Sequence, residues 1–374
     1  MGRSEIFLSA QSSVGAESSL DRQSCQSLLI TFSNLGYPRP VEPSSRVTIR
    51  DVAASAGVSV ATVSKVINAR YGVSAQTSAR VKAVIQDMGY EASLVAQSLR
   101  NHRTNVIGIL VADLEPFSTE LLKGAAQAIR GTGFELVVYS AGGRTTDQVG
   151  WERRYLSRLS GTLIDGAVVV TPTVIDVRYG AQVVAVDPHT GSNDLPTIDT
   201  DNQRGAWLAT EYLLGLGHRR IAMLTGRPDL QSAHLREWGY RQAMAEAGVP
   251  VETSMLQVGS YDSAVSAEAA RRLLTAADRP TAIFAANDLS AIATVEVARG
   301  LGLRVPEDLS VVGFDNIPDS ALNSPSLTTV EQPIHEMGRK AIKLLISLIQ
   351  GDPVDSTHIT LATTLVVRQS TRPL

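Results

Sequence analysis

Apolar positions pass through three regimes along this chain. Residues 1–45 show no period and are rich in Ser, Gln and Gly. Residues 46–104 carry apolar positions at helical spacing in short blocks. Ile49, Val52, Ala53 and Ala56 make the first block, with Thr48 placed to cap its start and Gly57 to end it. Val63, Val66 and Ile67 make the second, opened by Ser59. Val81, Val84, Ile85 and Met88 make the third, over residues 75–88, broken by Gly89-Tyr90. A short small-residue helix is expected over 93–100.

From Asn105 continuous apolar runs take over, the mark of strands buried on both faces of a parallel sheet. Strands are expected over 106–111, 136–139, 166–170 and 182–187, alternating with helices over 121–129 and 151–159. The alternation then repeats. Strands at 221–224, 256–258, 282–285 and 309–314 interleave with helices at 206–214, 236–247, 263–276 and 289–300. A long amphipathic helix over 334–349 and a closing strand over 361–368 follow. Two doubly wound lobes in tandem enclose a cleft at the C-terminal ends of their strands. The fold class is therefore an all-α helix-turn-helix domain followed by a two-lobed α/β domain. The divisions fall at 1–45 (a disordered extension), 46–90, 91–104 (hinge helix and linker) and 105–374.

The helical block is read as DNA-binding. Two short helices joined by a tight Gly turn form a helix-turn-helix, whose second helix enters a major groove. Residues 46–104 hold eight Lys or Arg against three acidic residues, a net +5, whereas the whole chain is at −3. That polarity suits one end on polyphosphate. A bland three-helix subdomain is the alternative. The single cysteine, Cys25, excludes an internal disulfide framework, and no run of about 18 apolar residues suggests a membrane span. The segment before residue 46 lacks the basic start and apolar core of a signal peptide, so a cytoplasmic protein is expected. The six histidines show no metal spacing, and no phosphate-loop, nucleophile-elbow or zinc-protease motif occurs. No cofactor or metal is expected.

The segment from Val47 to Arg100 resembles the headpiece of the LacI/GalR family of bacterial transcription regulators. The likeness continues to Arg368 through Gly217-His218-Arg219-Arg220, Gly239-Tyr240, Asn287-Asp288 and the run from Val305 to Asp315. The resemblance implies a periplasmic-binding-protein-like effector domain behind the headpiece. It also implies that Val60, Ala61 and Lys65 read base edges, with Lys65 donating to guanine. Thr48, Ser59, Thr62, Ser64 and Asn68 carry short polar groups suited to phosphate oxygens. In the hinge, Leu99 takes the position of the minor-groove wedge, with Ala96 one turn before it and Arg100 beside it. Ala92 stands where the family usually has proline, which raises the entropy of the free hinge.

For the cleft the resemblance points to Asp113, Phe117, Asp187, Arg236, Tyr261, Asn287 and Asp315 as effector-binding. The matching family positions bind small ligands, mostly sugars or purines, and carboxylates, an amide, a guanidinium fork and ring faces suit a polyol such as a sugar. Locally bland roles, such as Asp315 capping a turn, remain open. The implied function is a repressor of near-palindromic operators, controlled by a small-molecule effector. A homodimer is expected, because one headpiece covers one half-site and no leucine heptad follows Ser370. A transporter's solute-binding protein shares the two-lobed fold but needs an export signal and no basic headpiece. An enzyme would need a nucleophile–base or metal constellation that the sequence does not display.

Overall fold

A computed structural model of the chain describes residues 47–67, 70–90, 103–142, 150–161, 163–173, 181–189 and 195–374. The chain divides into two units, residues 1–92 and 93–374. The extension over 1–45, the hinge residues Ala96, Leu99 and Arg100, and Asn68 lie outside the described residues.

In the first unit Thr48 caps helix α1 (Ile49–Ala56) through a reciprocal box with Asp51. Gly57 ends it at φ 64°, a left-handed conformation that costs a residue without Cβ little. Ser59 then accepts from the Thr62 N–H at 3.1 Å and opens α2 (Val60–Ile67). Ser74 caps α3 (Ala75–Asp87) in the same way. Val52, Ala53, Ala56, Val63, Val66 and Val81 are buried where the three helices meet. Each large apolar side chain so buried contributes about 1.5–3 kcal/mol.

The second unit contains two six-stranded sheets. The first lobe runs β1 (Val106–Val111), α4 (Pro116–Ala128), β2 (Glu135–Ser140), α5 (Trp151–Leu159), β3 (Gly166–Val170), β4 (Gln182–Val186) and β5 (Thr197–Thr200). The second runs α6 (Asn202–Gly215), β6 (Ile221–Thr225), α7 (Gln231–Glu246), β7 (Leu256–Val258), α8 (Ser263–Thr275), β8 (Ala282–Ala285), α9 (Asp288–Gly300), β9 (Ser310–Asp315), α10 (Pro318–Leu322) and β10 (Thr328–Glu331). The chain then returns to the first lobe as α11 (Ile334–Gln350) and β11 (His358–Leu361), and ends in the second as β12 (Thr364–Val366).

Strand orders are β11-β5-β4-β3-β1-β2 and β12-β10-β9-β8-β6-β7, parallel throughout except β12. Order reverses between β1 and β3 and between β6 and β8, which opens a crevice at those strand ends in each lobe. Helices cover both faces of both sheets, so β1 and β3 are apolar and buried along their length, and β9 is buried throughout around its apolar centre. At the α4–α11 crossing a Cβ on Gly338 would fall 2.2 Å from the Leu121 carbonyl oxygen, so only glycine permits this contact.

Several expectations shift. α4 begins at Pro116 and α7 at Gln231, five residues ahead of their apolar periodicity. The first turns, Pro116-Phe117-Ser118-Thr119 and Gln231-Ser232-Ala233-His234, carry no apolar repeat, which hides those starts. The single closing strand over 361–368 is corrected to two strands, β11 and β12, joined to different sheets. Strands β5 and β10, absent from the expected set, lead directly into lobe crossings.

Candidate functional site

On α2, Val63 and Val66 face the core, leaving Val60, Ala61 and Lys65 exposed on the opposite side. Ser64 shares that face at helical spacing and is half-buried. The Ser59 and Thr62 hydroxyls lie 2.9 Å apart at the start of the helix. The Thr48 hydroxyl donates to Asp51 Oδ2 at 2.7 Å, so its proton serves the cap of α1. That bond, with the Thr48 N–H, holds the Asp51 carboxyl below its usual range. Tyr71, beyond α2, is fully exposed, and neither periodicity nor motif had marked it.

In the second unit Asp113, Phe117, Asp187, Arg236, Tyr261, Asn287 and Asp315 all line one cavity of about 380 Å³. They arrive from both lobes. Asp113 follows β1, Phe117 lies in the first turn of α4, and Asp187 follows β4. Arg236 projects from α7, Tyr261 follows β7, Asn287 follows β8 and Asp315 closes β9. Thr171, Asp187, Tyr261 and Asp315 have positive φ, four of the seven non-glycine residues that do so among those described. Such strain concentrates where backbone geometry serves a site.

Arg236 organises the floor. It is 4% exposed and donates from Nε to Asn202 Oδ1 at 2.8 Å and from Nη1 to the Ala286 carbonyl at 2.5 Å. Nη1 also lies 3.5 Å from Asp315 Oδ1, and the guanidinium stacks 3.8 Å from the Phe314 ring centroid. Burial pushes the Asp315 carboxyl up to about 7, against the opposing pull of Arg236 and of the Gln332 amide. Burial also raises Asp187, opposed by Arg236 and Ser232. The Tyr261 hydroxyl is buried without a hydrogen bond of good geometry, and burial raises it to about 12.

Other residues carry local work as well. Asn287 caps α9, its Oδ1 accepting from the Ser290 N–H at 3.0 Å while its amide donates to the Tyr261 carbonyl at 3.2 Å. Asp113 Oδ1 accepts from the Leu114 N–H at 2.8 Å. Asp315 does not cap α10: its Oδ1 accepts from Gln332 Nε2 at 2.6 Å.

Sequence reasoning missed Glu115, Ser232 and Gln332. Glu115-Pro116 carries a start signal, an N-cap acceptor before proline at the first helical position, that could have revealed the first. Gln332 has no local signal. It sits at a lobe crossing and joins Asp315 to Thr200, whose hydroxyl donates to Gln332 Oε1 at 2.6 Å. At the same crossings the Asp201 N–H donates to the Leu361 carbonyl at 2.9 Å, and the Thr363 hydroxyl to the Asp201 carbonyl at 3.2 Å.

A helix-turn-helix unit and a two-lobed α/β unit with a polar cleft define the class: a DNA-binding module joined to a periplasmic-binding-protein-like module. Comparison with known proteins agrees. Residues 48–93 match the bacterial regulatory proteins of the lacI family, and residues 210–371 match the periplasmic binding protein-like domain. The chain is 33% identical over 335 residues to the HTH-type transcriptional repressor PurR of Photobacterium profundum, covering 87% of this chain and 99% of that protein. It is 34% identical over 329 residues to the ribose operon repressor of Halalkalibacterium halodurans, covering 87% and 97%. Among solved structures, the Lac repressor dimer bound to operator and the anti-inducer ONPF aligns with TM-score 0.75 and 27% identity over 88% of this chain and all of that one. The complex of the transcriptional regulator CelR with cellobiose aligns with TM-score 0.64 and 32% identity, over 87% and 100%. The chain belongs to the LacI family of bacterial regulatory proteins; it is a DNA-binding transcription regulator, not an enzyme. Among the described residues no helix is long and apolar enough to cross a membrane.

Proposed function

We propose that this chain is a repressor whose hold on a near-palindromic operator is set by a carbohydrate effector in the cleft. The convergence of all seven candidate side chains, from both lobes, on one cavity carries this reading. The cavity lies at the low end of the ~300–1,000 Å³ typical of small-molecule sites. Asp113, Asp187 and Asp315 accept from ligand hydroxyls, Arg236 and Asn287 fix orientation, and Phe117 and Tyr261 offer ring faces.

Lys65 reads a base edge while Val60 and Ala61 make apolar contacts, and Ser59, Thr62, Ser64 and Asn68 set register on phosphates, with Thr48 kept to the cap of α1. Leu99 wedges into the minor groove, with Ala96 and Arg100 on the same hinge segment. Two copies act as a homodimer on the two half-sites, in the cytoplasm at the nucleoid. Domain limits at 46–90, 91–104 and 105–374 suit this division of labour.

The test is binding-site selection followed by anisotropy titration on the selected duplex, with and without a saccharide that stabilises the protein thermally. A preference for two-fold sites and a ligand-dependent change in affinity are expected. Binding without sequence preference, or affinity indifferent to every stabilising ligand, would refute the reading.

A further inference from the structure

Helices α4, α7, α8 and α9 all begin at the cavity, which their first residues or caps line. A helix start presents orphan N–H groups and partial positive charge, a ready seat for a ligand's phosphate or carboxylate. In this chain the seats at α4, α8 and α9 are occupied by its own side chains, while α7 has no side-chain cap.

Glu115 accepts from the N–H groups of Phe117 and Ser118 at 2.8 and 3.0 Å, and from the Ser118 hydroxyl at 2.6 Å. Asp262 accepts from the Val265 N–H at 2.8 Å, and Asn287 from Ser290. At α7 the Gln231 N–H donates to the His189 carbonyl at 3.1 Å, and Ser232 and Asp187 line the cavity beside that start.

Among the described residues two guanidinium groups line the cavity, and both are engaged. Arg227 holds Asp229 through two bonds of 3.1 and 2.7 Å, and Arg236 is tied to Asn202, Ala286 and Asp315. Among the described residues an incoming anion would therefore find three of the four helix starts filled, the uncapped one at α7 lying beside Asp187, and neither lining guanidinium uncommitted. It would instead face Asp113, Glu115, Asp187 and Asp315.

We propose that the cleft refuses anionic ligands, so that its effector is an uncharged polyhydroxylated molecule and not a sugar phosphate or sugar acid. A hydroxyl donates to these carboxylates without adding like charge, which is why a polyol satisfies the lining that a phosphate would not. The inference rests on the reading of this cleft as the effector site.

Calorimetry on the full chain with matched pairs tests it: glucose against glucose 6-phosphate and gluconate, ribose against ribose 5-phosphate, with cellobiose and inorganic phosphate alongside. At least one neutral sugar is expected to bind saturably. Its charged derivative should bind about 100-fold more weakly, and inorganic phosphate should show no saturable heat at millimolar concentration. Glu115→Gln keeps an oxygen acceptor at the helix start and removes the charge, and should narrow that gap about tenfold.

A charged derivative that binds as tightly as its parent, saturable phosphate binding, an unchanged gap in Glu115→Gln, or no neutral sugar bound would each overturn the proposal. Operator affinity measured on the same samples separates the two readings. An anionic ligand that shifts operator binding defeats this inference alone. A neutral sugar that binds with no effect on the operator supports the inference and defeats the proposed function.

Discussion

Replacing Arg236 with alanine tests the floor of the cleft most directly. The side chain is 4% exposed and serves three acceptors: Asn202 Oδ1, the Ala286 carbonyl and Asp315. Each buried acceptor left without its donor costs about 1–3 kcal/mol, and breaking a buried ion pair costs about 3–5 kcal/mol. These losses share one side chain and do not add, so Arg236→Ala should destabilise the second unit by about 3–5 kcal/mol. In a domain of this size that lowers Tm by roughly 6–20 °C.

The pH dependence has a definite sign. Asp315 has its folded pKa raised from 3.8 to about 7 even with Arg236 present. A raised carboxyl adds stability below its unfolded pKa and loses that contribution as pH rises through its folded one. Arg236 opposes the rise, so its removal lifts Asp315 and Asp187 further. The cost of the substitution therefore grows as pH passes upward through about 7. Urea unfolding of wild type and Arg236→Ala at mildly acidic and mildly alkaline pH measures it. A loss below about 1 kcal/mol, or a loss independent of pH, would refute this account of the floor.

Three further outcomes are expected. Lys65→Ala should lose about 1–3 kcal/mol on the selected operator and relax preference at one base pair, read by site selection on the variant. Gln332→Leu should leave the fold intact but uncouple ligand binding from operator affinity, because it cuts the link from Asp315 to Thr200; equal coupling in wild type and variant, by anisotropy, would exclude that route. Ligand hydroxyls that donate to Asp315 favour its ionised form, so binding should release protons near neutral pH and weaken as pH falls below about 7. Calorimetry in buffers of different ionisation enthalpy measures that release, and Asp315→Asn should abolish it.

What the sequence disclosed follows from how local each signal is. The helix-turn-helix was legible because Thr48, Gly57 and Ser59 act on backbone groups within three residues of themselves. The parallel strands were legible because burial on both faces leaves an apolar run, as in Val106–Val111 and in Val311–Phe314 at the centre of β9. β5 and β10 were not, since they are short and polar at the ends that enter the lobe crossings. The starts of α4 and α7 were hidden for a related reason. Their first turns face a polar cavity, so they carry no apolar period there.

The same distinction separates residues of the cleft. Asp187, Arg236, Asn287 and Asp315 were singled out by their likeness to a family pattern, not by any property of their own neighbourhood. Gln332 had neither advantage. Its importance comes from two partners, 17 and 132 residues away, that only the crossing geometry brings together. A polar residue between lobes can tie a ligand site to a lobe crossing only by bonding to both, and such a pair of bonds leaves no trace in one-dimensional spacing. If a neutral polyol draws Asp315 toward its ionised form, the amide of Gln332 is held more strongly by that carboxylate. The Thr200 hydroxyl on its other side then feels the change at the first lobe crossing. The link from the cleft to the lobe crossing is thus one side chain long, and only the folded chain reveals it.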